Sequence, residues 1–255
     1  MGKWTSKIER EEKILDLIQN KKFVNPSELA AELGVSLVTI RRDLKELEER
    51  GLIVKNYNSI SIKREYDKRF YERYSQYLPE KRIIAKLALN FVKPGDTLFI
   101  DTSTTCYEFA KVIASATKNI HIVTNSIMSA MELANNLSIE VTLIGGTLKS
   151  GYFSTIGTFA EEMMEKIKVG KIFMSCTTLD PQGLYESSIL EGSFKKKAIA
   201  NSKVRYLLVD SSKFDKVSIF QTAELKDIDV ILTNKPLPNR YLSILRDTGT
   251  EFVIP

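Results

Sequence analysis

The sequence predicts an α/β chain in two parts: a winged helix-turn-helix over residues 1–63 and a mostly parallel α/β domain over 79–255, joined by a linker helix over 64–78. Three observations lead there. Before residue 50, apolar residues recur at three- and four-residue spacing in three short runs, with helix start and stop signals between them. From residue 97 onward, short apolar runs (TLFID, HIVTN, VTLIGG, KIFMS, RYLLVD, VILTN, EFVI) alternate with helix-length stretches, the pattern of strands covered on both faces. The charge is uneven: residues 1–64 carry 13 Lys/Arg and 10 Asp/Glu, so they hold +3 of the net +5.

Each N-terminal element has its own signals. Ser6 and Glu9 have the spacing of a capping box ahead of Ile14, Leu17 and Ile18. Asn25-Pro26-Ser27-Glu28 starts a second helix with a cap, a Pro at the first helical position and an acid three residues after the cap; Gly34 stops it. Ser36 opens a third helix with Ile40, Leu44 and Leu47 on one face, and Gly51 ends it. Leu52–Val54 and Ile60–Ile62 flank Asn56-Tyr57-Asn58-Ser59 as a hairpin. The linker stretch REYDKRFYERYSQYL holds Tyr66, Phe70, Tyr71, Tyr74 and Tyr77, enough aromatic surface for one packed face or an interdomain or dimer contact. Helices are expected near 80–92, 105–114, 126–136, 158–167, 191–201 and 238–246, between strands at 97–101, 120–124, 141–146, 171–175, 205–210, 230–234 and 251–254.

Composition removes several classes of function. No apolar run approaches the roughly 18 residues of a membrane span, and the N-terminus MGKWTSKIEREEK lacks the apolar core of a secretory signal. Cys106 and Cys176 are far apart, and the single His121 begins a strand, so no metal site and no disulfide scaffold is expected. Two lone thiols suit the reducing cytoplasm. No cofactor is implied.

The tight turn at Gly34-Val35 between two helices is the spacing of a DNA-reading helix-turn-helix. With Ile40, Leu44 and Leu47 turned inward, Val38, Thr39, Arg42 and Lys45 point outward and Arg41 flanks them. Arg suits guanine O6 and N7, and Thr or Val can meet a thymine methyl. Ser27, Ser36 and Lys55 of the wing are candidates for phosphate contacts. Arg42 with Glu46 and Lys45 with Glu49 also have the spacing of ordinary surface ion pairs.

In the second part, Asp101-Thr102-Ser103-Thr104-Thr105 follows an apolar strand and opens a helix, where loop N–H groups and the helix dipole favour an anion. The same hydroxyls also cap helices for structural reasons alone. Asn125, Gly145, Gly146, Asp180 and Lys213 sit in other strand-end loops expected on the same edge, and Glu191 and Lys196 open a nearby helix. An anion would meet the loop 101–105 with Lys213 and Lys196, leaving Asp180 and Glu191 for hydroxyls.

The segment ILDLIQNKKFVNPSELAAELGVSLVTIRRDLKELEERGLI closely resembles the N-terminal domain of the DeoR family of bacterial transcription regulators, and GVSLVTIRRDLKELEERG matches its recognition-helix signature. KRIIAKLALNFVKPGDTLFIDTSTTCYEFA, HIVTNS, VTLIGG and LLVDSSKFDK resemble, in order, the family's sensor domain, which has the fold of ribose-phosphate isomerases. The resemblance implies a repressor of sugar or related metabolic genes that binds double-stranded operator DNA as a homodimer or homotetramer, is not an enzyme, and answers to a phosphorylated sugar or related anionic metabolite. Two departures stand out. The wing has Lys55-Asn56-Tyr57-Asn58-Ser59 in place of the family's His-Gly-Gly, and Ser103 replaces the Gly of its phosphate loop. Two alternatives stay open. One is a sugar-phosphate isomerase with a DNA-binding appendage, in which Asp180, Glu191 and Lys196 would transfer protons. The other is a regulator controlled by a partner protein.

Overall fold

The computed structural model describes residues 10, 11, 13, 14, 17, 18, 25–49, 53–56, 59–62, 70–116 and 119–255. The expected cap at Ser6 and Glu9, the stop at Gly51, the turn at Asn58 and residues 64–69 of the linker lie outside them. The chain forms two compact units, Met1–Asp67 and Lys68–Pro255.

In the first unit, α1 (Pro26–Leu33) begins as its sequence dictates. The Asn25 side chain accepts from the Glu28 N–H, Glu28 accepts in return from the Asn25 N–H, and Gly34 closes the helix at φ 65°. Helix α2 (Leu37–Glu49) follows, and then the hairpin β1 (Ile53–Asn56) and β2 (Ser59–Ile62), paired from Ile53 with Ile62 to Asn56 with Ser59. Ile14, Leu17, Ile18, Leu29, Leu33, Ile40, Leu44, Leu47, Ile53 and Ile60 form one buried core.

The second unit opens with α3 (Phe70–Ser75) and α4 (Leu78–Leu89). The described part of the expected linker is packed: Phe70 is buried, its ring lies 5.5 Å from Tyr107 and 6.0 Å from Phe153, and its N–H donates to Gly151 O at 3.0 Å. Lys81 of α4 is buried with its ammonium on the carbonyls of Arg73 and Gln76, which closes the C-terminal end of α3.

The main sheet is wholly parallel and seven-stranded. Its strands are β3 (Thr97–Ile100), β4 (Ile120–Thr124), β5 (Ile139–Leu143), β8 (Val169–Met174), β11 (Ser202–Leu208), β13 (Val230–Leu232) and β14 (Glu251–Val253), in the order β14-β13-β11-β8-β3-β4-β5. Side chains alternate faithfully between its faces. Leu98, Ile100, Phe173 and Leu208 pack with α4, α5 (Thr104–Ala114) and α6 (Ile127–Leu133), and Phe99, Ile172, Met174 and Leu207 pack with α7 (Thr158–Glu165), α8 (Ile189–Ala200) and α9 (Asn239–Thr248).

Short strands outside the expected set make two further sheets. One is the hairpin β6 (Thr147–Lys149) with β7 (Ser154–Ile156). The other is antiparallel, in the order β12 (Phe220–Glu224), β10 (Gly183–Glu186), β9 (Thr178–Asp180). The expected strand 141–146 ends at Leu143, so Gly145 and Gly146 belong to the turn that follows. The chain runs outward from β3 through β4 and β5, then returns to β8 on β3's other side. The carboxyl ends of β3 and β8 therefore flank the point where the strand order reverses, where open α/β sheets bind ligands.

Candidate functional site

On α2, Ile40, Leu44 and Leu47 face the core and leave Val38 76% exposed, with Arg41, Arg42 and Lys45 exposed beside it. Thr39 is half-buried. Its N–H donates to Ser36 Oγ at 3.1 Å and the two hydroxyls meet at 2.8 Å, so Ser36 caps the helix with the Thr39 hydroxyl against it. Ser27 is exposed in the first turn of α1, and Lys55 stands in β1 opposite Ile60. Lys45 and Glu49 form the expected pair at 3.7 Å, too exposed to add much stability. The face thus offers two guanidinium groups, an ammonium and an apolar side chain near a helix N-terminus.

In the second unit, Asp101 is buried at the end of β3. Its Oδ2 accepts from the Ser175 N–H at the end of β8 and lies 3.2 Å from Lys195 Nζ. That ammonium also donates to Ser175 O at 2.6 Å and to Glu186 of β10. Burial alone would push Lys195 down, but Asp101 and Glu186 overturn this and hold it well above the ordinary lysine value, so it stays protonated. Glu186 also accepts from Thr177 Oγ1 at 2.6 Å.

Lys195, Glu186 and Ser175 were not singled out from the sequence, although helical spacing carried a signal. Ala198 and Ile199 are buried, and one turn back are Phe194 and Lys195, whereas Lys196 lies about 100° further round. The expected role of Lys196 in the crevice is corrected accordingly: it is exposed, with its ammonium 4.6 Å from the Phe220 ring centroid.

Ser103 takes the N-cap of α5 at φ −65° and accepts from the Cys106 N–H at 3.1 Å. That backbone suits any residue, so the missing Gly is accommodated. Thr104 and Thr105 are buried in the first turn, and Thr102 is half-buried before it. Asn125 is buried after β4; its Nδ2 donates to Thr155 O at 2.9 Å, while its Oδ1 has no partner among the described residues. Gly146, at φ 146°, lies so close to Ala160 and the Ile156 carbonyl that a Cβ would come within 2.9 Å of each; Gly145 has open space.

Two further expectations are corrected. Asp180 Oδ1 accepts from the Gln182 and Gly183 N–H groups at 2.8 and 3.1 Å, so it shapes the β9–β10 turn instead of facing a ligand. Glu191 is half-buried in the first turn of α8 and pairs with Lys149 at 3.1 Å.

Lys213 is half-buried in the 3₁₀ turn Ser211–Lys213, just after buried Asp210. Burial pushes Lys81 down to about 8, with Asp210 opposing and Lys213 reinforcing, which places all three charges around the same end of the sheet. Cys176, raised to about 12 chiefly by burial, feels Glu186, Lys195, Lys213 and Asp210 in turn. Burial likewise raises Cys106, so neither thiol is a nucleophile. His121 pairs with Thr142 at 2.8 Å, and the described residues hold no metal-binding cluster. No helix among them is long and apolar enough to cross a membrane.

A helix-turn-helix unit joined to a parallel α/β unit with a charged cluster at its strand ends has the build of a ligand-responsive transcription regulator. Comparison with known proteins gives the family. Residues 10–65 match the DeoR-like helix-turn-helix domain and residues 77–235 the DeoR C-terminal sensor domain, so the chain belongs to the DeoR family of transcription regulators. It is 32% identical to the uncharacterized HTH-type transcriptional regulator YulB of Bacillus subtilis (strain 168), over 94% of this chain and 93% of that one. It is 30% identical to the L-fucose operon activator of Haemophilus influenzae (90% and 93% covered) and 29% identical to the lactose phosphotransferase system repressor of Staphylococcus epidermidis (90% and 92% covered). Among solved structures, a D-ribose-5-phosphate isomerase in complex with phospho-erythronic acid shares 16% identity over 52% of each chain at a TM-score of 0.40, too remote to carry an argument about the site.

Proposed function

We propose that the chain is an operator-binding repressor of sugar or related metabolic genes in the cytoplasm, and that a phosphorylated sugar or similar anion at the strand-end crevice changes its operator affinity. The single observation that carries this reading is the charged cluster at the carboxyl ends of β3 and β8, where the strand order reverses. There an eleven-residue helix presents its N-terminus beside Asp101, Lys195 and Glu186, with Lys213 and Lys81 around the same sheet end. The helix N-terminus supplies oriented N–H donors for a phosphate. Lys213 adds a cation, and the carboxylates and the open acceptor of Asn125 suit sugar hydroxyls. Thr102, Thr104 and Thr105 line the anion end, and Gly145 gives room at the rim.

The crevice is a sensor in this reading, not a catalytic site. Lys195 keeps its proton and so cannot act as a base, and both neighbouring carboxylates are engaged by it. Arg42, Val38 and Thr39 read bases, while Arg41, Lys45, Ser36, Ser27 and Lys55 contact bases or phosphates. One α2 reads a half-site, so the working form is a homodimer or homotetramer.

The test uses a duplex selected by the full-length protein from a random pool. Fluorescence anisotropy against that duplex, and thermal melting, are each followed across a panel of sugar phosphates. A member of the panel is expected to raise Tm and change operator affinity by about 5–150-fold. If operator binding is sequence-specific but no phosphorylated metabolite shifts either quantity, control by a partner protein replaces this account. Turnover of a panel member would establish the enzyme alternative.

A further inference from the structure

Asp43 lies on the inward side of α2, immediately after the two exposed arginines, with its side chain fully buried. Its carboxylate meets the guanidinium of Arg10, which comes from the helical positions that also carry Ile14, Leu17 and Ile18. Arg10 Nε donates to Oδ2 at 2.6 Å and Nη2 donates to Oδ1 at 3.1 Å, a two-point fork, and the arginine itself is only 12% exposed. Burying such a pair costs several kcal/mol of desolvation per ion, and a well-packed apolar pair in its place is often equally or more stable. Net stability is therefore a weak reason for an ion pair here, and orientation is the stronger one.

Ile40, Leu44 and Leu47 bury a seam that covers about 60° of the helix circumference, and apolar contact along such a seam is non-directional. Asp43 flanks that seam. Turning α2 about its axis by one residue position, about 100°, would break both bonds of the fork and bring either Arg42 or Leu44, neither of which can accept from Arg10, into the place of Asp43. Arg42 and Val38 lie nearly opposite the seam, so the same angle decides whether they or their neighbours reach the base edges.

We propose that Arg10 and Asp43 are a positioning pair that fixes the rotation of α2 about its axis, and thereby sets which side chains read DNA sequence. The inference rests on α2 being the reading helix. The full-length chain is tested against the duplex the wild type selects from a random pool and against a scrambled duplex of the same composition. Arg10→Met with Asp43→Leu replaces the fork by apolar contact. That double variant is expected to keep its Tm and its affinity for the scrambled duplex, but to lose at least tenfold of its preference for the selected one. Arg10→Lys keeps the charge without the fork and should lose a smaller part of the preference.

A double variant that folds and retains the wild-type preference overturns the proposal. If the double variant does not fold, Arg10→Lys decides: an unchanged preference overturns the proposal, and a reduced preference at unchanged Tm supports it. Failure of the wild type itself to select any sequence would instead overturn the reading of α2 as the DNA-contacting helix.

Discussion

Replacing Lys195 by Met removes the one cation between two buried carboxylates. Asp101 Oδ2 is 3.2 Å from Nζ and Glu186 is closer on another side, so both carboxylates lose their compensating charge at once. With the acids within about 6 Å of each other, their repulsion at an effective dielectric constant near 20 is about 3 kcal/mol. Breaking a buried ion pair by removing one partner costs about 3–5 kcal/mol, consistent with that value. For a unit of this size the loss lowers Tm by about 10 °C.

The pH dependence has a definite sign. In the wild type the raised Lys195 contributes stability that is present below the unfolded lysine value and lost only as pH rises through its higher folded value. In Lys195→Met one carboxyl is forced up by its neighbour, so the folded state binds a proton that the unfolded state has released. Stability should then recover as pH falls from 7.5 to 5. Urea unfolding at both pH values measures this, and adding Glu186→Gln should restore about 2–3 kcal/mol at pH 7.5 by removing the repulsion. A Lys195→Met variant within 1 kcal/mol of wild type and flat across that range would refute the charged cluster as the organiser of the crevice.

Arg42→Ala should weaken binding to the selected duplex by about 1–3 kcal/mol and relax preference at one base position in a repeated selection, with Tm unchanged because the side chain is exposed. Lys213→Ala should reduce the response to the most active sugar phosphate in the anisotropy assay while leaving ligand-free duplex affinity within twofold, since it lies in the sensor unit. Gly146→Ala should destabilise the second unit by about 1–3 kcal/mol in urea unfolding, because its Cβ would meet Ala160 and the Ile156 carbonyl at 2.9 Å.

Lys81 connects the crevice to the helix nearest the first unit in sequence. Its ammonium closes the C-terminal end of α3 and also feels Asp210 and Lys213 at the strand ends. The end of α3 and the charges at the strand ends thus share one buried group.

The helix-turn-helix and the parallel sheet are legible in the amino-acid order alone. Both follow from local rules: Asn25-Pro26-Ser27-Glu28 and Gly34 fix α1 through capping and backbone freedom, and the Ile40, Leu44 and Leu47 spacing fixes the inner face of α2. The runs TLFID, KIFMS and RYLLVD hold strands because both faces are apolar. The loop 101–105 was legible for the same reason, as a strand end that opens a helix.

What meets at that edge depends on long-range packing. Nothing local to Glu186, Ser175 or Asp101 predicts that all three converge on Lys195, because they sit in β10 and at the ends of β8 and β3, and these strands belong to two different sheets. Lys195 and Lys196 are chemically identical neighbours, and a rotation of about 100° sends one into the crevice and the other onto Phe220. Asp180 likewise had the right chemistry at an expected strand end, but the turn into β10 captured its carboxylate. Strands of three or four residues such as β6, β7, β9 and β10 have too little periodicity to be seen alone, since pairing across the sheet stabilises them.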